Sequence, residues 1–349
     1  MKRIAIISQS LAGGGQERVT VNIANYLVQN AFAKIVLLTG KKQDDEYTLD
    51  NRIPRKVMLT MNLLKDVMSV RNYLVKNKID VAVSLGLYTN FLLCMCNVGL
   101  KTKVIISERN DPAHDNISGK SKFLRWLTYR NADSYVFQTE GARQFYSKKI
   151  QKRGVIIPNP VKEKLPYKSN VNKHEIVAVG RLMPQKNYPC LIKAFSLVHQ
   201  KHPDYILRIF GIGVLKEQLD EMICKMKLEE FVALEGFCSD VHEQIKDSEI
   251  FVMSSDFEGM PNALMEAMAM GFPVVSTDCP CGGPAALIQN KKNGLLVPVA
   301  DVGSLANALN KIIEDCEMKK NISENALKIR NDFSIENIMD KWLGVIGLK

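Results

Sequence analysis

Residues 251–288 read FVMSSDFEGMPNALMEAMAMGFPVVSTDCPCGGPAALI. The apolar run 249–253 has the length and content of a buried strand, and Ser254-Ser255-Asp256 is a polar turn. Pro261 stands where a helix can open, because its fixed φ suits a first turn and its missing N–H costs nothing there. A second β-branched run at 274–276 completes a strand–loop–helix–strand unit, the building block of a parallel sheet. The first turn of the helix leaves the amides of Asn262, Ala263 and Leu264 without intrahelical acceptors at the positive end of the helix dipole, which suits a phosphate. Gly259, followed by Met260, lets the backbone come close to such a ligand.

Glu258 precedes that helix and Glu266 lies within it, with seven residues between them. One sits in the loop and the other on the helix, so both can face one cleft, where carboxylates accept hydrogen bonds from adjacent hydroxyls. The same spacing fits a helix cap at Glu258, a solvated Glu266 and an ordinary core built on the Met-Ala-Met-Ala run.

Outward from this stretch, short β-branched runs alternate with amphipathic helical segments along the whole chain. Strands are predicted at 3–8, 34–39, 57–60, 81–85, 104–107, 134–137 and 154–157. A second series follows at 175–180, 206–210, 232–235, 249–253, 274–276 and 294–297. The fold class is therefore α/β: two Rossmann-like halves, each with a doubly wound parallel sheet, over 1–162 and 174–333. Pro158-Asn159-Pro160-Val161 and the polar stretch 162–174 read as the linker between them.

A chain of 349 residues accommodates two such domains. Residues 4–8 are too short for a signal-peptide core, and no run approaches the roughly 18 apolar residues of a membrane span, so a cytoplasmic location is expected. Cys94/Cys96 and Cys279/Cys281 form CxC pairs, and the remaining four cysteines are scattered without zinc spacing. Small buried thiols and no bound metal are the expectation.

Charge is uneven. Residues 1–162 hold 26 Lys/Arg against 12 Asp/Glu, a net +14, and the remainder 21 against 25, a net −4. The basic half carries no nucleic-acid motif, so an anionic membrane surface or a pyrophosphate-linked lipid is the expected partner rather than nucleic acid. Residues 120–130, KSKFLRWLTYR, set Phe123, Leu124, Trp126 and Leu127 among Lys120, Lys122, Arg125 and Arg130. That pattern fits a helix lying on a membrane and equally a helix packed into the core. Lys148, Lys149, Lys152 and Arg153 add a second basic cluster.

Three further loops follow predicted strands, at the carboxyl edge where such sheets bind ligands. Gly13-Gly14-Gly15-Gln16-Glu17-Arg18 opens a helix near Gln16 and offers the Gly14 and Gly15 amides to a phosphate, without the third glycine of a dinucleotide fingerprint. In Gly180–Asn187, Arg181 can fork two phosphate oxygens and Lys186 adds a point charge. Ser107-Glu108-Arg109-Asn110-Asp111-Pro112 places Arg109 at the same edge, either toward a ligand or as a partner of Glu108 or Asp111.

Glu258, Glu266, the run Gly271-Phe272-Pro273-Val274-Val275 and the run from Gly282 to Ile288 together resemble the signature of the family-4 retaining glycosyltransferases. Gly-Gly-x-Glu-Arg at residues 14–18 is similar as well. The resemblance implies a GT-B fold with the donor in the cleft between the halves, and a last helix, about 334–349 with Trp342, returning to the first domain. It implies transfer of a hexose or N-acetylhexosamine from a UDP-sugar to a saccharide acceptor, polyprenyl-pyrophosphate-linked, in surface polysaccharide biosynthesis at the inner face of the membrane. In these terms Gly14, Gly15, Arg181, Lys186 and the amides of residues 262–264 would hold the diphosphate, with Gly259 and Met260 against the ligand. Glu258 would hold sugar hydroxyls and Glu266 the ribose diol. Many members carry a His where this chain has Arg109, and His114 comes a few residues later.

No Asp-x-Asp pair occurs, so no divalent metal or other cofactor is required and Arg181 and Lys186 would neutralise the leaving diphosphate. On this reading, Lys186→Ala or Glu258→Ala abolishes transfer and leaves the fold nearly intact. Two rival functions share the architecture or the charge: a sugar-nucleotide epimerase, and a non-catalytic polyanion- or membrane-binding protein.

Overall fold

The structure, a computed structural model, describes residues 1–114, 119–171 and 173–349. Asn172, within the expected linker, and the side chain of Lys120, within the basic aromatic segment, lie outside the described residues. The chain forms two compact units, Met1–Pro160 with Ile335–Lys349, and Val161–Ser334.

The first unit carries strands β1 Lys2–Ser8, β2 Ala33–Thr39, β3 Arg55–Val57, β4 Val81–Ser84, β5 Lys103–Ser107, β6 Ser134–Phe137 and β7 Gly154–Ile156. They form a seven-stranded parallel sheet in the order β3-β2-β1-β4-β5-β6-β7. Runs such as Ile4–Ile7 are buried throughout because helices cover both faces of a doubly wound sheet. The third strand lies two residues earlier than predicted. Residues 58–60 leave the ladder, with the amides of Met58 and Leu59 both donating to Thr39 O, at 2.8 and 3.0 Å, as Leu59 turns inward.

The helix Ile335–Ile346 belongs to this unit, where Trp342 is fully buried. Lys2 Nζ donates to Gly347 O at 2.6 Å and Lys103 Nζ to Val345 O at 2.5 Å, tying the C-terminal segment to β1 and β5.

The second unit carries β8 Glu175–Val179, β9 Ile206–Phe210, β10 Val232–Gly236, β11 Ile250–Met253, β12 Val274–Thr277 and β13 Leu295–Val297, all parallel, in the order β10-β9-β8-β11-β12-β13. Ile250 pairs with Ile176 and Phe251 with Val177. The two-residue period then sorts Ile176 and Ile250 into one core with Phe195 and Leu309, and Val177 and Phe251 into the other with Met265 and Phe272.

The stretch read as a linker is anchored in the second unit. Val161 and Leu165 are buried in its core, and Arg330 Nη2 donates to Leu165 O at 2.9 Å. Polar composition concealed two apolar anchors. Connections run outward on either side of the β8/β11 pair, so the strand order reverses there, and the loops leaving these two strands meet at the carboxyl edge.

Candidate active site

The loop after β8 contains Arg181, Gln185, Lys186 and Asn187; the loop after β11 contains Ser254 through Pro261. Four hydrogen bonds sew them together. Asp256 N–H donates to Gln185 O (2.9 Å), Gln185 Nε2 to Phe257 O (2.8 Å), Asn187 Nδ2 to Asp256 Oδ1 (2.6 Å), and Ser254 Oγ to Lys186 O (2.8 Å). Asn187 takes a left-handed backbone, φ 46°, and its side chain also caps the next helix by accepting from Cys190 N–H at 3.3 Å.

Within this frame Lys186 Nζ lies 2.5 Å from Glu258 Oε1, and Ser255 Oγ donates to the same oxygen at 2.8 Å. Both donors land on Oε1, so Oε2 has no protein donor among the described residues. The two side chains are only 16% and 10% exposed, which makes this a largely buried ion pair. Lys186 and Glu258, assigned separate tasks in the sequence, are one unit. Arg181 on the same loop is exposed and has no ion pair or hydrogen bond from its guanidinium among the described residues.

The helix Asn262–Met270 starts within one residue of the predicted point, with Pro261 as its cap. Met265 N–H donates to Pro261 O at 3.1 Å, so Asn262, Ala263 and Leu264 make the first turn, at the dipole's positive end. Gly259 and Met260 are buried just before it. A Cβ on Gly283 would fall 1.7 Å from Gly259 O, so the Gly282-Gly283 pair is what lets the next loop close over this one. Thr277 Oγ1 and Cys279 Sγ both donate to Ser255 O, at 2.5 and 3.3 Å, fixing the turn from the end of β12.

Glu266 is buried and accepts from His242 Nε2 at 2.8 Å; His242 lies on the short helix Val241–Ile245 after β10. Sequence reasoning missed His242, since no spacing links it to a residue 24 positions later and its place after a strand was the only available sign.

The other assigned residues belong to the first unit. Gly14 and Gly15 stand at the start of the helix Gly15–Gln29 after β1, as expected. A Cβ on Gly14 would lie 2.0 Å from Glu17 Oε2, because Glu17 folds back over this turn. Burial raises the Glu17 pKa, against a hydrogen bond from its own backbone N–H. The space offered to a phosphate thus has a carboxyl group beside it.

Arg109 follows β5 but pairs with neither Glu108 nor Asp111. Glu108 accepts from Asn90 and Tyr129, at 3.1 and 2.8 Å, and Asp111 from His114 at 2.7 Å. Arg109 Nη1 donates to Asn159 Oδ1 at 2.9 Å, and its guanidinium carbon lies 5.5 Å from the Trp342 ring centre. Its Nε and Nη2 are buried without an acceptor among the described residues, and desolvation lowers its pKa to about 9.

All eight cysteines are free; Cys94, Cys96, Cys190, Cys279 and Cys281 are buried, Cys238 is half-buried, and Cys224 and Cys316 are exposed. The expectation of buried thiols therefore fails at the last three. No group of three or more potential metal ligands occurs among the described residues. Nor is any described helix long and apolar enough to cross a membrane.

Residues 162–329, which include both loops and Glu266, match the family described as Glycosyl transferases group 1. An uncharacterized glycosyltransferase of Methanocaldococcus jannaschii is 30% identical over 69% of this chain and 71% of its own length. A Campylobacter jejuni α-1,4-N-acetyl-D-galactosaminyltransferase, whose name gives a diNAcBac-PP-undecaprenol-linked GalNAc disaccharide as acceptor, is 26% identical over 99% of each chain. Among solved structures, Anabaena HepE in complex with UDP and glucose superposes with a TM-score of 0.84 and 20% identity, covering 99% of this chain and 100% of that one, a likeness of fold.

Proposed function

The chain belongs to the group 1 glycosyl transferases, two-domain enzymes of GT-B architecture, and from that premise we propose that it moves a hexose or N-acetylhexosamine from a UDP-sugar to a saccharide acceptor. The acceptor in this reading is polyprenyl-pyrophosphate-linked and the product a surface polysaccharide, a reading supported by the acceptor in the Campylobacter relative's name and by a relative named for amylovoran biosynthesis in Erwinia amylovora.

One observation carries the donor assignment: the loops leaving β8 and β11, at the strand-order reversal, hold together an arginine with no ion pair among the described residues, a lysine–glutamate pair and a helix N-terminus. In the proposed mechanism Arg181, Lys186 and the first-turn amides of residues 262–264 stabilise the charge that grows on the diphosphate as the anomeric C–O bond breaks. Glu258 Oε2 accepts from hydroxyls of the transferred sugar, and Glu266, oriented by His242, accepts from the ribose diol. Gly259 and Met260 pack against the donor. From the first unit the same reading enlists the Gly14 and Gly15 amides and Arg109. The acceptor hydroxyl adds on the face the diphosphate leaves and its proton passes to the departing diphosphate oxygen, so configuration is retained.

Incubation with a panel of UDP-sugars and a lipid-linked saccharide tests this, read by NMR of the new linkage. An α product from an α donor is expected; a β product, or an isomerised nucleotide sugar without transfer, contradicts it.

A further inference from the structure

The helix Gly119–Thr128 sorts its residues in reverse. Phe123, Trp126 and Leu127, at helical spacing on one side, are 62%, 55% and 49% exposed, while Arg125 is 4% exposed. Core packing, one of the two readings open in the sequence, is thereby overturned. Phe145, from the segment after β6, is 47% exposed and lies under the Arg125 guanidinium, 5.0 Å from ring centre to Cζ. The Phe123 and Trp126 rings stack at 5.7 Å, and Arg130 covers Trp126 at 3.6 Å. Water-exposed apolar surface of this extent is costly unless something covers it.

Charge identifies what covers it. Residues 119–153 hold nine Lys/Arg and two Asp/Glu, and both acids are engaged: Glu140 with Arg143 at 2.8 Å, Asp133 with Val104 N–H at 2.7 Å. Beside the aromatic face opens a cavity of about 460 Å³ whose lining includes Lys122, Arg125, Trp126, Arg130, Lys149 and Arg153 and no carboxylate. Arg125 and Arg153 spend donors on Pro112 O (3.2 Å) and Ala132 O (2.6 Å). Lys122, Arg130 and Lys149 are exposed and have no ion pair among the described residues. A soluble polyanion would satisfy these cations but leave Phe123 and Leu127 in water. A lipid surface satisfies both sets at once, because its phosphates and its acyl boundary lie within a few ångströms of each other.

We propose that this face docks the first unit on a membrane rich in anionic phosphate lipids. Phe123, Trp126, Leu127 and Phe145 enter the headgroup–acyl boundary, while Lys122, Arg130 and Lys149 receive lipid phosphates at the cavity mouth. The inference does not rest on the donor-site reading, and its test reads no transfer activity.

The two tryptophans give a selective probe, since Trp342 is fully buried and Trp126 exposed. The full chain is mixed with vesicles of phosphatidylcholine alone, or of phosphatidylcholine with phosphatidylglycerol, and followed by co-sedimentation and by acrylamide quenching of fluorescence. The expected result is sedimentation with the anionic vesicles only, weakening as salt rises, with a blue shift and protection from quenching that vanish in Trp126→Phe. Lys122→Glu with Lys149→Glu lowers binding about tenfold or more. Phe123→Ser with Leu127→Ser abolishes the shift, and unchanged melting curves show that these exposed substitutions leave the fold intact. Failure to bind anionic vesicles, or binding indifferent to these substitutions, overturns the proposal. So does equal protection of Trp126 by inorganic phosphate without vesicles, which would make the cavity a site for a soluble anion.

Discussion

Lys186 Nζ sits 2.5 Å from Glu258 Oε1, across 72 residues of sequence, and joins the loop after β8 to the loop after β11. Removing either partner alone leaves the other charge largely buried and uncompensated. Lys186→Ala or Glu258→Ala should therefore lower stability by about 1–3 kcal/mol, less than for a fully buried pair because some solvent reaches both. Lys186→Met with Glu258→Leu should recover most of that loss while staying inactive. Urea denaturation of the four proteins checks this, and additive losses would show that the pair is not coupled. The sequence alone led to the opposite expectation, a nearly intact fold.

His242 touches Glu266 and is placed to fix its orientation. In His242→Ala the KM for the nucleotide sugar should rise about three- to tenfold with kcat little changed, the size of one lost hydrogen bond to a charged group. In a Glu266→Ala background the same change should add almost nothing. Steady-state kinetics on the single and double variants decides it, and independent effects would remove His242 from the donor site.

Asp66 is buried and accepts from Tyr88 Oη (2.7 Å), Thr60 Oγ1 (2.7 Å), Thr60 N–H (2.9 Å) and Met61 N–H (3.1 Å). Burial pushes its pKa up, but these donors outweigh it and hold the carboxyl below the ordinary value. The folded chain then binds fewer protons than the unfolded one, so the stabilisation is complete above an unfolded Asp pKa of about 3.9 and is lost as the pH falls through the folded value. Asp66→Asn should be less stable than the parent near neutrality, with the gap closing below about pH 4. Denaturation midpoints across that range check the sign.

Burial pushes the Cys279 thiol up to about 12 and also raises those of Cys94 and Cys96. Alkylation near neutral pH should label exposed Cys316 first. Exposed Cys224 should be slower, because its thiol is raised by a hydrogen bond to Glu229. Cys94, Cys96 and Cys279, buried and raised, should react only on unfolding, as peptide mass spectrometry would show.

The strands were legible because parallel sheets covered on both faces write near-continuous apolar runs, as at Ile4–Ile7 and Phe251–Met253. The start of the helix Asn262–Met270 was legible because Pro261 and the polar turn leave little choice. Contacts between distant loops left no local trace: Lys186 with Glu258, His242 with Glu266, Arg109 with Asn159 and Trp342. The 120–130 pattern fitted both core and surface, since amphipathicity gives two faces without saying which turns inward. Only the exposure of Trp126 beside a buried Arg125 separates them.

The loops after β8 and β11 are proposed to grip a nucleotide diphosphate. Calorimetric titration of UDP, with uridine as reference, into the parent and into Arg181→Gln tests it, because Arg181 has no ion pair among the described residues whose loss would disturb the fold. Saturable UDP binding, no detectable binding of uridine, and a loss of about tenfold or more in Arg181→Gln are expected, the size of a charge-assisted contact to phosphate. Equal affinity in parent and variant, or no UDP binding by the folded parent, would contradict it.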